Sequence, residues 1–291
     1  MQTKPAREGT ARPDRLRKEI DINLRASTAD IRVGEGSDGI ERVEAYFPSL
    51  GFSPHRHDTY AIGITLAGVQ TFRYRGEQRY CLPGQCHILH PDEVHDGSSA
   101  GEGGFRYRIA YIDPCLVQHA IGGRPLPLVA NPVIALSPAQ KRLLSAAWDM
   151  TDPIDALRQA DIATAVAEVL EAHSSPRPRR REPLCLDALL RVRDLLAAAP
   201  AKAHTVKELE RIAALDRWTL ARQFRAAFGT SPTHFRTMRQ LAEVRRLVRC
   251  GESLIDASLQ AGFFDQSHMS RLFKQAYGLT PGKWVASLRS P

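Results

Sequence analysis

Two arginines 49 residues apart are the side chains best placed to do chemistry. Arg222 stands in Leu220-Ala-Arg-Gln-Phe-Arg-Ala-Ala-Phe-Gly-Thr-Ser-Pro-Thr-His-Phe235. Arg271 stands in Met269-Ser-Arg-Leu-Phe-Lys-Gln-Ala-Tyr-Gly-Leu-Thr-Pro-Gly-Lys-Trp284, which repeats the same grammar. Phe224 matches Phe273, Arg225 matches Lys274, Gly229 matches Gly278 and Pro232 matches Pro281. A guanidinium can pair bidentately with guanine, an amide such as Gln266 can pair with adenine, and Arg225 or Lys274 can meet phosphate. A lone arginine on a helix face is usually solvated; matched arginines in both copies point to a polyanion.

The elements that would position them follow from caps and turns. Thr205-Val-Lys-Glu208 is a capping box opening a short helix to Ala213. Ala214-Leu-Asp216 makes a turn, and Asp216 caps a second helix that ends at Gly229. That is a helix-turn-helix. The second copy predicts a helix over 253–260, a Gly262-Phe-Phe turn, and a helix capped by Asp265 and running to Tyr277. Ser231-Pro232 opens a connecting helix to about Arg249, roughly 27 Å long at 1.5 Å per residue. Such a spacer suits two recognition helices in successive major grooves, roughly 34 Å apart. Leu220, Phe224 and Phe228 form a buried stripe, which leaves Arg217, Trp218, Thr219, Ala221, Arg222 and Arg225 outside. In the second copy Met269, Phe273 and Tyr277 are buried, and Gln266, Ser267, His268, Ser270, Arg271 and Lys274 face out.

Charge agrees with this placement. Residues 174–291 hold 21 Lys and Arg against 10 Asp and Glu, whereas the 173 residues before them hold 19 against 22. A basic C-terminal part and a near-neutral front imply polyanion binding by the former. Five cysteines, odd in number and without a Cys-x-x-Cys pair, argue against a disulfide framework and fit a reducing, cytoplasmic setting. No apolar run is long enough to span a bilayer, and the basic N-terminus lacks the apolar core of a secretory signal.

Ahead of the repeats, residues 60–66, 70–75, 86–90 and 105–112 read as strands separated by Gly and Pro turns, the pattern of a sandwich or small barrel. Ser137-Pro138 opens a helical run to about Trp148, and Asp152-Pro153 opens a longer helix to about Ala172. The longer helix carries a stripe including Ile154, Leu157, Ile162, Val166 and Leu170, which must pack on the barrel or on a second copy. Ser174-Ser-Pro-Arg-Pro-Arg-Arg-Arg-Glu-Pro183 reads as a linker.

Residues 185–291 resemble the tandem helix-turn-helix domain of the AraC/XylS family of transcription regulators. The motifs that carry the resemblance are Leu220-x-Arg222-x-Phe224-x4-Gly229-x-Ser231-Pro232 and Gly262-Phe-x-Asp265-x-Ser267-His-Met-x-Arg271-x-Phe273-Lys274. The resemblance implies base-facing positions at Trp218, Ala221 and Arg222, and at Gln266, Ser267, Ser270 and Arg271. Ala214 departs from a glycine common in the first turn, and Ala221 is a poor base reader.

His55-Arg-His57, Pro83-Gly84 and Pro91-Asp-Glu-Val-His95 resemble the cupin barrel that precedes this DNA-binding domain. Cupin enzymes hold a metal with three His and one Glu. His55, His57 and His95 match the histidines, but Ala61 and Ile62 occupy the places where the Glu would fall. The three could bind zinc or iron(II), hydrogen-bond a polar effector together with Tyr60, or be structural. The expectation is therefore a multidomain α and β chain. It comprises a flexible arm at 1–25, a cupin-like effector-binding barrel at 26–132, a helical pair at 133–173 that dimerises, a linker at 174–184, and a DNA-binding domain at 185–291. The partners implied are double-stranded DNA, a small-molecule effector, RNA polymerase and a second copy, with no membrane, no catalytic residues and no required cofactor. The rival is a metal-dependent cupin enzyme carrying a DNA-binding module, and a third reading is an architectural DNA-binding protein with a vestigial barrel.

Overall fold

The computed structural model describes residues 30–48, 50–175, 183–278 and 280–289. The expected arm at 1–25, and residues 176–182 of the expected linker, lie outside the described residues. The front of the chain is built from β1 (Asp30–Val33), β2 (Ile40–Phe47), β3 (Leu50–His55), β4 (Tyr60–Gly68) and β5 (Gln70–Tyr74). It continues with β6 (Glu77–Cys81), β7 (Cys86–Leu89), β8 (His95–Ser99), β9 (Phe105–Ile112) and β10 (Val133–Ile134). A six-stranded sheet runs β1-β2-β9-β4-β7-β10, and a four-stranded sheet runs β3-β8-β5-β6. All pairings are antiparallel.

Period-two alternation gives the six-stranded sheet two apolar faces. Val43, Ala45, Ala61, Leu89, Phe105, Tyr107 and Ile109 join Phe72 and Tyr74 of the smaller sheet in the barrel core. Ile40, Tyr60, Ile62, Ile88, Ala110 and Ile112 point the other way, into a second core with the helices. Those helices are α1 (Pro114–Ala120), α2 (Pro138–Leu143) and α3 (Ala156–Ala172). Ile162, Ala165, Val166, Val169 and Leu170 of α3 are buried in this second core, so the stripe packs on the barrel and does not await a second copy. Leu157, expected in the stripe, is 73% exposed.

The first helix opens at Ser137-Pro138 as expected, but the second starts later than the sequence expectation. Asp155, not Asp152, caps α3 by accepting the Arg158 N–H. Asp149 Oδ1 instead gathers the N–H groups of Thr151 and Asp152 into a turn. The run from Ser137 breaks at Leu144 into a 3-10 turn over Ser145–Trp148. The Trp148 indole donates to Ile62 O at 2.9 Å, and buried Arg42 donates to Ala146 O and Asp152 O at 2.7 Å each. These bonds fix the loop to the sheet.

The remaining helices are α4 (Leu186–Ala198), α5 (Val206–Ala213), α6 (Arg217–Phe228), α7 (Pro232–Arg249), α8 (Leu254–Gln260), α9 (Gln266–Tyr277) and α10 (Pro281–Arg289). Thr205, Asp216, Ser231, Ser253 and Asp265 cap their helices through side-chain oxygens. Gly229 and Gly278 close the two recognition helices at φ 74° and 70°, where a Cβ would be strained. Ala214 takes the same left-handed region at φ 52° in the first turn, the place where a glycine is common in the family it resembles. Phe235 of α7 packs with Leu220, Phe224 and Phe228. Further along the same helix, Met238, Leu241 and Val244 pack with Met269, Phe273 and Trp284. One helix thus carries both units. No helix among the described residues is long and apolar enough to cross a membrane.

Candidate nucleic-acid interface and inter-domain cavity

The repeated helices are oriented by what they bury. Leu220, Phe224 and Phe228 of α6, and Met269 and Phe273 of α9, are buried. This leaves Arg217, Trp218, Ala221, Arg222 and Arg225 exposed on α6, with Thr219 half-buried. On α9, Ser267, His268, Arg271 and Lys274 are exposed, and Gln266 and Ser270 are half-buried. Trp218, 75% exposed, and Phe264 ahead of α9, 92% exposed, are large apolar groups left in solvent beside these faces. Phe264 was not singled out by the sequence argument; its neighbour Phe263 is the buried member of the pair.

The opposite ends of the same helices rest on the barrel. A Cβ on Gly229 would approach the Pro91 ring at 2.8 Å, and one on Gly278 would approach Ser53 O at 3.4 Å. The Leu126 N–H donates to Ala226 O at 2.8 Å. Charged contacts reinforce this seat. Arg193 of α4 donates to Asp113 at 3.1 Å, and Arg239 of α7 pairs with Asp58. Thr230 donates to Asp92 at 3.0 Å. Arg56 and His234 reach the other Asp92 oxygen at 3.2 and 3.0 Å. That oxygen has no aligned hydrogen bond; Arg56 meets it as a charge, whereas burial lowers the His234 pKa and favours its neutral ring.

Between the two units lies a cavity of about 280 Å³. Phe52, His55, His57 and Tyr111 line it from the barrel, and Arg193, Met238, Arg239, Ala242 and Tyr277 line it from the helices. Its surface is more apolar than polar, and its polar lining comes from both units, with Asp58, Asp113, Arg193, Arg239 and Arg245 beside the histidines. The alternation of Phe105–Ile112 places Tyr107, Ile109 and Tyr111 on one face, a signal that could have identified Tyr111. Nothing local in the sequence marks Arg193 or Met238, because they reach the cavity only through docking of the units.

His55 ends β3, His57 follows two residues beyond it, and His95 opens β8, directly opposite His55 in the ladder. One ring nitrogen from each lies within 4.8 Å of the others. His55 Nδ1 lies 2.9 Å from Ser53 O, His57 Nδ1 2.9 Å from Thr59 O, and His95 Nδ1 3.0 Å from Glu93 O. Burial holds all three imidazoles neutral: His55 is lowered, His57 falls to about 4 with help from His55, and His95 falls well below its ordinary value. Burial raises the Tyr111 hydroxyl, whose ring meets the His57 ring edge-on at 5.2 Å. The donor set fits a divalent metal in one concrete respect: His57 Nε2 is buried without a hydrogen-bond partner.

Tyr60 does not join this group. It shares its strand face with Ile62 in the core beneath α3, lies tilted against the His90 ring at 5.3 Å and directs its hydroxyl towards Pro127 O. The strand's period of two, which puts Ala61 inside the barrel, sends Tyr60 outside.

The AraC-like ligand binding domain family matches residues 39–173, and a helix-turn-helix domain family matches residues 209–287. The chain is a member of the AraC family of transcription regulators. The HTH-type transcriptional regulator YbfI of Bacillus subtilis is 24% identical over 242 residues, covering 78% of this chain and 86% of that one. An AraC-like transcription regulator of Streptomyces antibioticus is 34% identical over 86 residues, 29% of this chain and 28% of its own length. Among solved structures, ToxT from Vibrio cholerae shares the two-part fold of this AraC-family regulator. Its TM-score is 0.56 at 13% identity, with 90% of this chain and 99% of ToxT covered. ToxT has also been solved with an unsaturated fatty acid bound, and in complex with (E)-4-(8-methylnaphthalen-1-yl)but-3-enoic acid. The chain is thus a transcription regulator with an N-terminal ligand-binding domain and a C-terminal helix-turn-helix region.

Proposed function

We propose that this regulator senses a small molecule held in the inter-domain cavity and converts its presence into a change in how α6 and α9 are presented to DNA. The observation that carries the reading is the shared wall: one cavity has His55, His57 and Tyr111 on the sensing side and Met238, Ala242 and Tyr277 on the DNA-binding side. A ligand touching both units must favour one disposition of them over another, since it contacts them differently when they are seated and when they part.

On the DNA side, Arg217, Trp218, Thr219, Ala221, Arg222 and Arg225 form one contact set. Gln266, Ser267, His268, Ser270, Arg271 and Lys274 form the other. Helix α7 has 18 residues, or about 27 Å of spacer, which suits successive major grooves on one face of the duplex. On the sensing side, His55, His57 and His95 receive the polar head of the effector, and the aromatic and aliphatic walls take an apolar body. The two carboxylic acids found in ToxT are of that chemical kind. The barrel with its helices up to residue 173 works as the sensor and not as an enzyme, and residues 185–291 work as the reader. The stripe of α3 is used on the barrel, so pairing of two copies would use other surface. Contact with RNA polymerase completes the proposal for a regulator acting in the cytoplasm.

The test is a thermal-shift screen of small carboxylic acids, phenols and alcohols with the full chain and with Ala242→Trp, which fills the cavity. Binding to the folded state raises its melting temperature. Compounds that stabilise the wild type, leave Ala242→Trp unmoved and change affinity for a selected DNA site support the reading. Stabilisation that survives Ala242→Trp places the ligand elsewhere.

A further inference from the structure

We propose that Phe264, in the turn before α9, is a specificity-determining DNA contact: its ring packs on the methyl group of a thymine in the major groove and adds an A·T preference beside Gln266. Phe264 is 92% exposed, more than any other large apolar side chain among the described residues. A single exposed apolar residue is ordinary on a protein surface; what sets this one apart is how it is presented and where. The two copies of the repeat differ at this point. In the first, only Ala214 and Leu215 separate α5 from the capping Asp216, and Leu215 packs against the core of its unit. Phe264 is the matching residue, 49 positions on and directly before the capping Asp265. The second turn is longer, Ala261 to Phe264, and Phe263 fills the core in its place. Phe264 is thereby released from packing.

The turn that carries it is fixed at both ends. Gln240 of α7 donates to Ala261 O and Gly262 O at 3.0 and 3.1 Å, and the Phe263 N–H donates to Ser258 O at 3.0 Å. Asp265 accepts the His268 N–H at 2.7 Å. A ring presented by an anchored turn loses little freedom when it is covered, so its burial goes into affinity. Its neighbours select the partner. Phe264 lies two residues ahead of Gln266, at the N-terminal end of α9, the end that a recognition helix sets against base edges. The turn carries no cation and Asp265 follows it, so it offers nothing to a phosphate. A phenyl ring forms no conventional hydrogen bond, and the apolar group on the major-groove edge of the bases is the thymine methyl. Pairing of Gln266 with adenine brings such a methyl into the same stretch of groove, because thymine is the partner of adenine. This assignment rests on the reading of α9 as a DNA-contacting helix given above.

The experiment uses the full chain and a DNA site selected from a random library. Each thymine of the site is replaced in turn by deoxyuridine, which removes the methyl and keeps the base pair. Binding is measured for the wild type, Phe264→Ala, Phe264→Leu and Arg271→Ala, with melting temperatures as the check on folding. The proposal expects one thymine whose replacement weakens wild-type binding about 4-fold, the worth of one buried methyl group. Phe264→Ala should bind the thymine site more weakly by at least that factor and be indifferent to the same replacement. Phe264→Leu, still apolar, should keep part of the preference. Wild-type indifference to every replacement overturns the proposal, and so does a Phe264→Ala variant that keeps the wild-type sensitivity. Equal weakening of Phe264→Ala on thymine and deoxyuridine sites also overturns it and assigns the ring to a sugar. Arg271→Ala separates the two readings. If it loses discrimination at one base pair while Phe264→Ala leaves thymine sensitivity unchanged, only the Phe264 assignment falls. If neither substitution alters DNA binding, the reading of α9 falls with it.

Discussion

Arg193→Met should loosen the seat of the DNA-binding unit on the barrel without damaging either unit. Arg193 lies on α4, its side chain 22% exposed, and donates to Asp113 Oδ2 at 3.1 Å. It also lies over the rings of Phe228 and Phe235 at 6.0 Å. Burial pushes the guanidinium pKa down, but Asp113 together with Cys115 and Asp194 more than offsets it and holds the pKa above its ordinary value. Asp113 keeps its second role after the change, since Oδ1 caps α1 by accepting the Cys115 N–H. A charge-assisted hydrogen bond of this burial contributes about 2 kcal/mol, and methionine retains most of the apolar contact. That corresponds to roughly a 30-fold rise in the population of the undocked state. The reporter is the Leu126 amide, which donates across the junction to Ala226 O at 2.8 Å. Hydrogen exchange of the Leu126 peptide should accelerate by roughly that factor, while amides of β9 around Ala110 stay protected, because local opening is read separately from global unfolding. Unchanged exchange at Leu126, or equal acceleration in β9, would refute the docking argument.

Three other outcomes follow from the same geometry. Arg271→Ala should lose about 1–3 kcal/mol of discrimination at one base pair, measured by competition between single-base variants of a selected site; a uniform loss across sequences would assign Arg271 to phosphate. Gly63→Ala would push a Cβ into the fully buried His87 ring, so urea denaturation should show a loss of about 1–3 kcal/mol. Burial lowers both His87 and His90 to about 4, and a proton on His90 Nε2 would displace the Val129 N–H that it accepts. Unfolded histidines titrate near 6.5. The stabilising contribution is therefore fully present above that value and lost as pH falls towards 4, at about 1.4 kcal/mol per pH unit for each histidine. Denaturation midpoints at pH 7, 6 and 5 should fall accordingly, and a flat profile would contradict burial of the two rings.

The C-terminal helices were legible because their signals are local. Asp216, Ser231 and Asp265 cap where the sequence places them, and Gly229 and Gly278 end the recognition helices. The barrel was legible only in its apolar strands. β3 and β8 include Gly51, Pro54 and Gly97 and have little alternation to read, so neither was among the strands read from the sequence. Tyr60 was misplaced because proximity to His57 in sequence says nothing about which strand face a residue takes. The start of α3 was displaced because Asp152-Pro153 carries a helix-opening signal that Asp149 diverts into a turn. What the sequence could not show was docking. Asp58, Asp92 and Asp113 are surface carboxylates in the sequence, and only the assembled chain puts Arg239, Thr230 and Arg193 against them.

The central claim is that one chain reads DNA with two unequal helices held a fixed distance apart. Selection from a random DNA library by the wild type, Arg222→Ala and Arg271→Ala tests it most directly. The account predicts a wild-type site with two preferred blocks centred about 10–10.5 base pairs apart, each variant losing preference in one block only, and a different block for each. A single preferred block, or the same block weakened by both substitutions, would contradict it.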